Sequence, residues 1–175
     1  MPWTKIPSSP EEAHLPADGL SQSPRILDYA GAVREALAQA LTNDPSVVVM
    51  GEGVDEPGGV FGTTKDLHLE FGIERVFDLP IAENGCTGVA VGAAVAGLRP
   101  VFVHMRTDFM LMAMDQIANH AAKWHYMFDG AQTVPLVIRA IIGRGWGSAA
   151  QHSQNLQGLF MQLPGLKVIM PASPY

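Results

Sequence analysis

Charge is scarce in this chain: only 16% of its residues are Asp, Glu, Lys or Arg, against roughly 25% in an average soluble domain. With so little surface polarity, much of the exterior is expected to be covered by a partner. Basic residues are the scarcer sign, and a net charge of −6 argues against nucleic acid or an anionic membrane as that partner. Cysteine occurs once, at Cys86. No internal disulfide can form, and a reducing, cytoplasmic setting is expected. Cys86 lies among small residues and reads as packing, not as a nucleophile. A long hydrophobic run is also missing. The least polar stretch, residues 84–98, is rich in glycine and ends at Arg99-Pro100. It falls short of the roughly 20 residues that cross a bilayer and reads as a buried helix. The N-terminus lacks the basic start and apolar core of a signal peptide.

Several chemical signatures are absent as well. No G-x-x-x-x-G-K-S/T phosphate loop occurs, the run 85–92 does not fit a dinucleotide fingerprint, and no G-x-S-x-G elbow is present. The histidines show no metal-ligand spacing with one another or with Cys86. His120 and His125, five apart, do not share a helix face. No metal site is expected from this chain alone.

What is present is an alternation of elements. Residues 1–24 hold five of the thirteen prolines and no periodicity, as in a tail or an arm laid over another subunit. Residues 25–175 read as one domain. Asp28 caps a helix with the apolar stripe Ala32, Val33, Ala36, Leu37, Ala40 and Leu41, closed by Asn43-Asp44-Pro45. Strands are expected at 46–50, 75–81, 99–105, 133–142 and 166–170. Helices are expected at 64–71, with Gly72 as its C-cap, and at 84–97, 110–127 and 155–162. The loop 55–62 carries three glycines and a proline, and 143–147 is a second glycine-rich loop. Apolar strands alternating with helices predict an α/β fold, a parallel sheet of about five or more strands with helices on both faces.

Ligands of such sheets lie beyond the carboxyl ends of the strands, which directs attention to residues 51–53, 82–85 and 143–152. Glu83 opens the helix after the second strand, where a carboxylate is favoured by the helix dipole alone. The functional alternative, which its small and apolar neighbours permit, is a carboxyl that exchanges a proton with a ligand ring nitrogen. His152, in Ala149-Ala150-Gln151-His152-Ser153-Gln154, is either an ordinary loop residue or part of a polar cluster at a strand end.

The segment Leu79-Pro80-Ile81-Ala82-Glu83-Asn84-Gly85, followed by Gly88-Val89-Ala90-Val91-Gly92-Ala93-Ala94-Val95-Ala96-Gly97-Leu98-Arg99-Pro100, resembles the signature of the E1 β subunit of 2-oxo acid dehydrogenases. That signature reads P-I-S-E-x-G, then G-x-A-V-G-A-A-x-A-G-L-R-P. Val33-Arg34-Glu35-Ala36-Leu37, Gly51-Glu52, Met114-Asp115-Gln116-Ile117, the AAQHSQ run 149–154 and Pro164-Gly165-Leu166-Lys167-Val168 follow the same family in order. The resemblance implies the pyrimidine-binding, transketolase-like domain of a thiamine diphosphate enzyme. Glu83 then corresponds to the glutamate that bonds and protonates the cofactor's aminopyrimidine ring, so that the thiazolium C2 proton can leave. Phe109 corresponds to the aromatic that stacks on that ring, where its bland alternative is core packing. Glu52 corresponds to an acid of the nearby proton network. His152 corresponds to a histidine at the substrate entrance, associated with acyl transfer to a lipoyl arm.

Cys86 departs from an aromatic common in the family, and Asp108 stands where many relatives have Asn. The family's diphosphate and Mg2+ motif is missing, so an α-type partner subunit is expected to hold Mg2+. The family's C-terminal domain is also absent from these residues, which suggests a truncated or split form and possibly a separate chain carrying it. The expected function is a cytoplasmic, hetero-oligomeric subunit acting on a 2-oxo acid or ketose-like donor, by decarboxylation with acyl transfer to a lipoyl acyltransferase. The alternatives are a split transketolase-like enzyme that loads a two-carbon unit onto an acyl-carrier protein, and a noncatalytic assembly subunit.

Overall fold

The computed structural model describes residues 26–143 and 147–172; the expected tail over 1–24 and the centre of the glycine-rich loop at 143–147 lie outside them. Four strands, β1 (Val47–Gly51), β2 (Val76–Asp78), β3 (Arg99–Arg106) and β4 (Val137–Ile141), form one parallel sheet in the order β2-β1-β3-β4. The helices are α1 (Tyr29–Asn43), α2 (Leu67–Phe71), α3 (Glu83–Val95), α4 (Thr107–Met110), α5 (Trp124–Met127) and α6 (Gln157–Phe160). The α/β architecture with helices on both faces is as the alternation predicts.

Helix α1 starts where its cap says it must: the Asp28 carboxylate accepts the Gly31 N–H at 2.6 Å, satisfying one of the helix's orphan donors. Its Leu37 and Leu41 pack with Val47, Val49, Val76, Val103 and Leu67 of α2 on one face of the sheet. On the other face, Val48, Met50 and Phe102 meet Cys86 and Ala90 of α3. Beyond them Ile138 and Ala140 of β4 meet Met110, Ala113, Ile117 and Phe160. The strand residues alternate between these two cores, as the period of two requires.

Four expectations need correction. Residues 166–170 form no strand. The Pro164-Gly165 turn presses so closely on the Ala122 carbonyl that a Cβ on Gly165 would overlap it. The following segment then runs across a groove of about 710 Å3 from β4 and leaves Ile169 and Met170 exposed. The sheet therefore has four strands among the described residues, not five or more. Strand β2 stops at Asp78 and β4 starts only at Val137, because Pro80 and Pro135 have no N–H to give the ladder. The helix expected over 110–127 is a chain of short pieces: α4, a 3-10 turn at Leu111–Ala113, a π-helical stretch at Gln116–Ala121, and α5. The Ala122 N–H reaches Ile117, five residues back, and widens the helix there. Finally, α2 begins at Leu67 and not at Thr64, since the Thr64 hydroxyl accepts the Val60 N–H and closes the preceding turn.

Candidate functional site

The chain order moves outward from β1 in both directions, to β2 on one side and β3 on the other. The carboxyl ends of β1 and β3 thus flank a topological switch point, the usual ligand position in an open parallel sheet. Gly51 ends β1 there, opposite Val103 of β3, with φ +151°. A side chain would collide with the Val103 carbonyl, so glycine at this position lets the two strand ends close up and sets Glu52 on the switch point.

Glu52 is buried. Its backbone N–H donates to the Val103 carbonyl at 3.1 Å, and its Oε2 accepts the Met105 N–H at 3.4 Å. Its Oε1 is buried with no hydrogen-bond partner. Burial, aided by the neighbouring Glu83 and Asp78 carboxylates, raises the Glu52 carboxyl above its ordinary value, with the Met105 N–H pulling the other way. Glu83, the first residue of α3, is only 6% exposed. Three residues on, the Cys86 thiol donates to the Pro80 carbonyl at 3.3 Å. Burial first, and then the charges of Glu52 and Glu83, push that thiol up. It stays protonated at neutral pH, in line with packing and not nucleophilic use.

A second group forms where β3 and β4 end. The Phe109 ring meets the His152 imidazole edge-on, with centroids 5.2 Å apart. Beside Phe109, Asp108 accepts from the side chain of Gln154 at 2.9 Å and from its backbone N–H at 3.3 Å. Arg106 lies 3.5 Å from the same carboxylate and donates to the Gly143 carbonyl at 2.5 Å. Burial alone would raise Asp108, but the hydrogen bonds from Gln154 and from its own backbone, with the Arg106 guanidinium beside it, prevail and hold it below the usual carboxylate value. Ala149 takes a positive φ of +61° as the chain turns into the His152 segment.

The four residues singled out in the sequence thus fall into two pairs, Glu52 with Glu83 and Phe109 with His152. The Glu52–Met105 bond joins their supporting strands. The Arg106–Asp108–Gln154 network was missed; the polar run after a buried strand was its only sequence signal. Among the described residues no three His, Cys, Asp or Glu side chains gather as metal ligands, and no helix is long and apolar enough to cross a membrane.

The donor set suits a nitrogen heterocycle. Glu52 keeps a buried oxygen unbonded, Glu83 adds a second buried carboxyl near it, and Phe109 follows β3, the strand on the other side of the switch point. The family model for the transketolase pyrimidine-binding domain matches residues 26–175. The chain belongs to this thiamine diphosphate-dependent family. Among individual relatives, it is 46% identical over 161 residues to the acetoin:2,6-dichlorophenolindophenol oxidoreductase β subunit of Cupriavidus necator. It is 45% identical over 144 residues to the pyruvate dehydrogenase E1 β subunit of Chaetosphaeridium globosum, and 40% identical over 150 residues to the 2-oxoisovalerate dehydrogenase β subunit of Bacillus subtilis. These matches cover 86%, 82% and 86% of this chain but only 47%, 44% and 46% of the relatives. The chain spans about half the length of the curated relatives it matches.

Proposed function

We propose that this domain binds the aminopyrimidine half of thiamine diphosphate in a hetero-oligomeric enzyme that cleaves the bond beside the carbonyl of a small donor and passes on the acyl group. The observation that carries this reading is the buried Glu83 at the start of α3, near enough to Glu52 for its charge to help raise the Glu52 carboxyl. When bound, the cofactor supplies an electron sink for that bond cleavage. Glu83 gives a proton to, and takes it from, the ring nitrogen of the aminopyrimidine. Glu52, held by the Met105 N–H, offers its free oxygen to the same proton network. Phe109 packs against the ring face, and His152, fixed edge-on to Phe109, handles protons at the donor end. The Arg106–Asp108–Gln154 network keeps Phe109 and His152 in place.

The diphosphate and its Mg2+ are assigned to an α-type partner subunit, since the relatives that match this domain are β subunits. The donor is a 2-oxo acid or acetoin: relatives named for each match at similar identity. Large exposed apolar side chains, among them Ile81, Tyr126, Met161 and Ile169, are the surface left for partner chains. Calorimetry tests the shared site. Thiamine diphosphate with Mg2+ should bind tightly only after the α-type subunit is added, and tight binding to this chain alone would overturn the division of the site. In the assembled enzyme, Glu83→Gln should lower turnover by about a hundredfold or more, the scale of general acid–base catalysis.

A further inference from the structure

Helix α3 has to present Glu83 in one orientation, yet its sequence gives it little to grip with. Its buried stripe is Glu83, Cys86, Thr87, Ala90, Val91 and Ala94, and Gly85, Gly88 and Gly92 leave much of the remaining surface bare. Small side chains interlock weakly with a facing sheet, so packing alone resists rotation of such a helix poorly. Nor is the first turn fixed by a cap, since Ala82 makes no side-chain hydrogen bond.

Besides the Cys86–Pro80 bond at its first turn, a polar contact ties this smooth surface to the sheet. The Thr87 Oγ1 lies 3.1 Å from Nε2 of His104 on β3, and both residues are fully buried. Thr87 follows Glu83 by four residues, so the two share a helix face. Whatever fixes the rotation of Thr87 about the helix axis also fixes that of Glu83. Phe102, on the same face of β3, holds the imidazole edge-on with centroids 4.7 Å apart. Burial keeps that imidazole neutral, with its pKa lowered to about 4. Its Nδ1 has no hydrogen-bond partner, which is a standing cost in a buried site. An apolar residue would fill the same space without an orphaned nitrogen. Buried polar contacts kept at such a cost are best attested as devices that fix register.

We propose that the Thr87–His104 hydrogen bond is a positioning contact that sets the rotation of α3 and so the orientation of Glu83 toward the cofactor ring. The proposal rests on the function given above for the identity of the ring, but not for the orientation of the carboxyl.

The test uses the chain assembled with its α-type subunit and three variants: Thr87→Val, Thr87→Ser, and the double change Thr87→Val with His104→Phe. The double variant replaces a polar pair by apolar groups and should melt at or above the wild-type temperature. It keeps the test open if Thr87→Val alone fails to fold. With carboxyl-13C glutamate, and Glu83 assigned through Glu83→Gln, wild type and Thr87→Ser should give one sharp Glu83 resonance. Thr87→Val and the double variant should shift, broaden or split it. C2-proton exchange on bound thiamine diphosphate should slow about tenfold or more in those two, while cofactor Kd stays within about threefold, the pattern of a misplaced catalytic group. Thr87→Ser should restore the rate. A stable double variant with wild-type resonance and wild-type exchange overturns the proposal. A double variant that does not fold overturns it too, because the contact is then structural. If the wild-type assembly binds no cofactor, the proposed function fails and the resonance alone decides whether the contact positions Glu83.

Discussion

On the β1–α3 side of the switch point lie two buried carboxyls, Glu52 and Glu83, and one N–H, from Met105, reaches Glu52. Glu52 is raised by burial and by its neighbours, and one of its oxygens is unbonded. On the β3–β4 side, Asp108 is as deeply buried yet held low, because Gln154 donates to it twice and Arg106 stands beside it. Both residues are nearly closed to solvent, at 6% exposed for Glu52 and 7% for Asp108. What sets them apart is their company: Glu52 has one N–H and two nearby carboxylates, whereas Asp108 has two donors from Gln154 and the Arg106 guanidinium. Glu52 is placed where protonation is easier than in water, which suits a proton network beside a ligand. The second side is arranged to keep charge paired and side chains still, which suits holding Phe109 and His152.

The largest effect should come from removing the close approach that joins the two sides. Gly51→Ala forces a Cβ into the Val103 carbonyl and should cost about 4 kcal/mol or more, in the range reserved for severe lesions. Chemical denaturation of the variant would show it; a near-wild-type midpoint would mean that the strand ends can part freely.

The two carboxylates should respond to mutation with opposite sign. Asp108→Ala strips Arg106 of its buried partner and should destabilise by about 3 kcal/mol. Asp108 is lowered in the fold, so its contribution is full above the unfolded value near 3.8 and is lost as pH falls through the lower folded value. Glu52 is raised, so any stability it lends is full below its unfolded value near 4.5 and is lost as pH rises through the folded value. Glu52→Gln should therefore be neutral or mildly stabilising at pH 7 while slowing turnover. Thermal melts of both variants across pH 3–8 check the pair. Matching slopes would show that the two sides do not differ as described.

Much of this arrangement was readable from sequence, and the gaps have physical reasons. Helix α1 carried its own cap and stripe, and Glu83 announced itself at the start of a helix after a strand. What could not be read was long-range. Glu52 and Glu83 lie 31 residues apart, and Thr87 and His104 lie 17 apart in different elements, so no local pattern couples them. The segment 166–170 has the composition of a strand, but pairing depends on a neighbour's geometry, and Gly165 against Ala122 steers the chain away from β4. The apolar pattern of 110–127 continues through its π-helical stretch, which hides the break at Ile117–Ala122.

A smaller and more selective effect is expected at the far end of the second side. His152→Ala leaves the carboxyl pair untouched but removes the ring that meets Phe109. Single-turnover kinetics should show the first covalent step within about threefold of wild type and acyl transfer slowed by about tenfold or more, the lower range of acid–base contributions. Equal slowing of both steps would place His152 in the cofactor half of the site.

The most direct test of the account is the exchange of the thiamine diphosphate C2 proton for deuterium in the assembled enzyme, followed by quenched-flow NMR for wild type and Glu83→Gln. This step precedes any donor and needs no knowledge of the substrate. The amide keeps the size of the side chain and one hydrogen bond but cannot give or take the proton, so exchange should slow by about a hundredfold or more. If Glu83→Gln exchanges as fast as wild type with cofactor fully bound, Glu83 is only a helix-start carboxylate, and the assignment of proton exchange to the β1–α3 side is wrong.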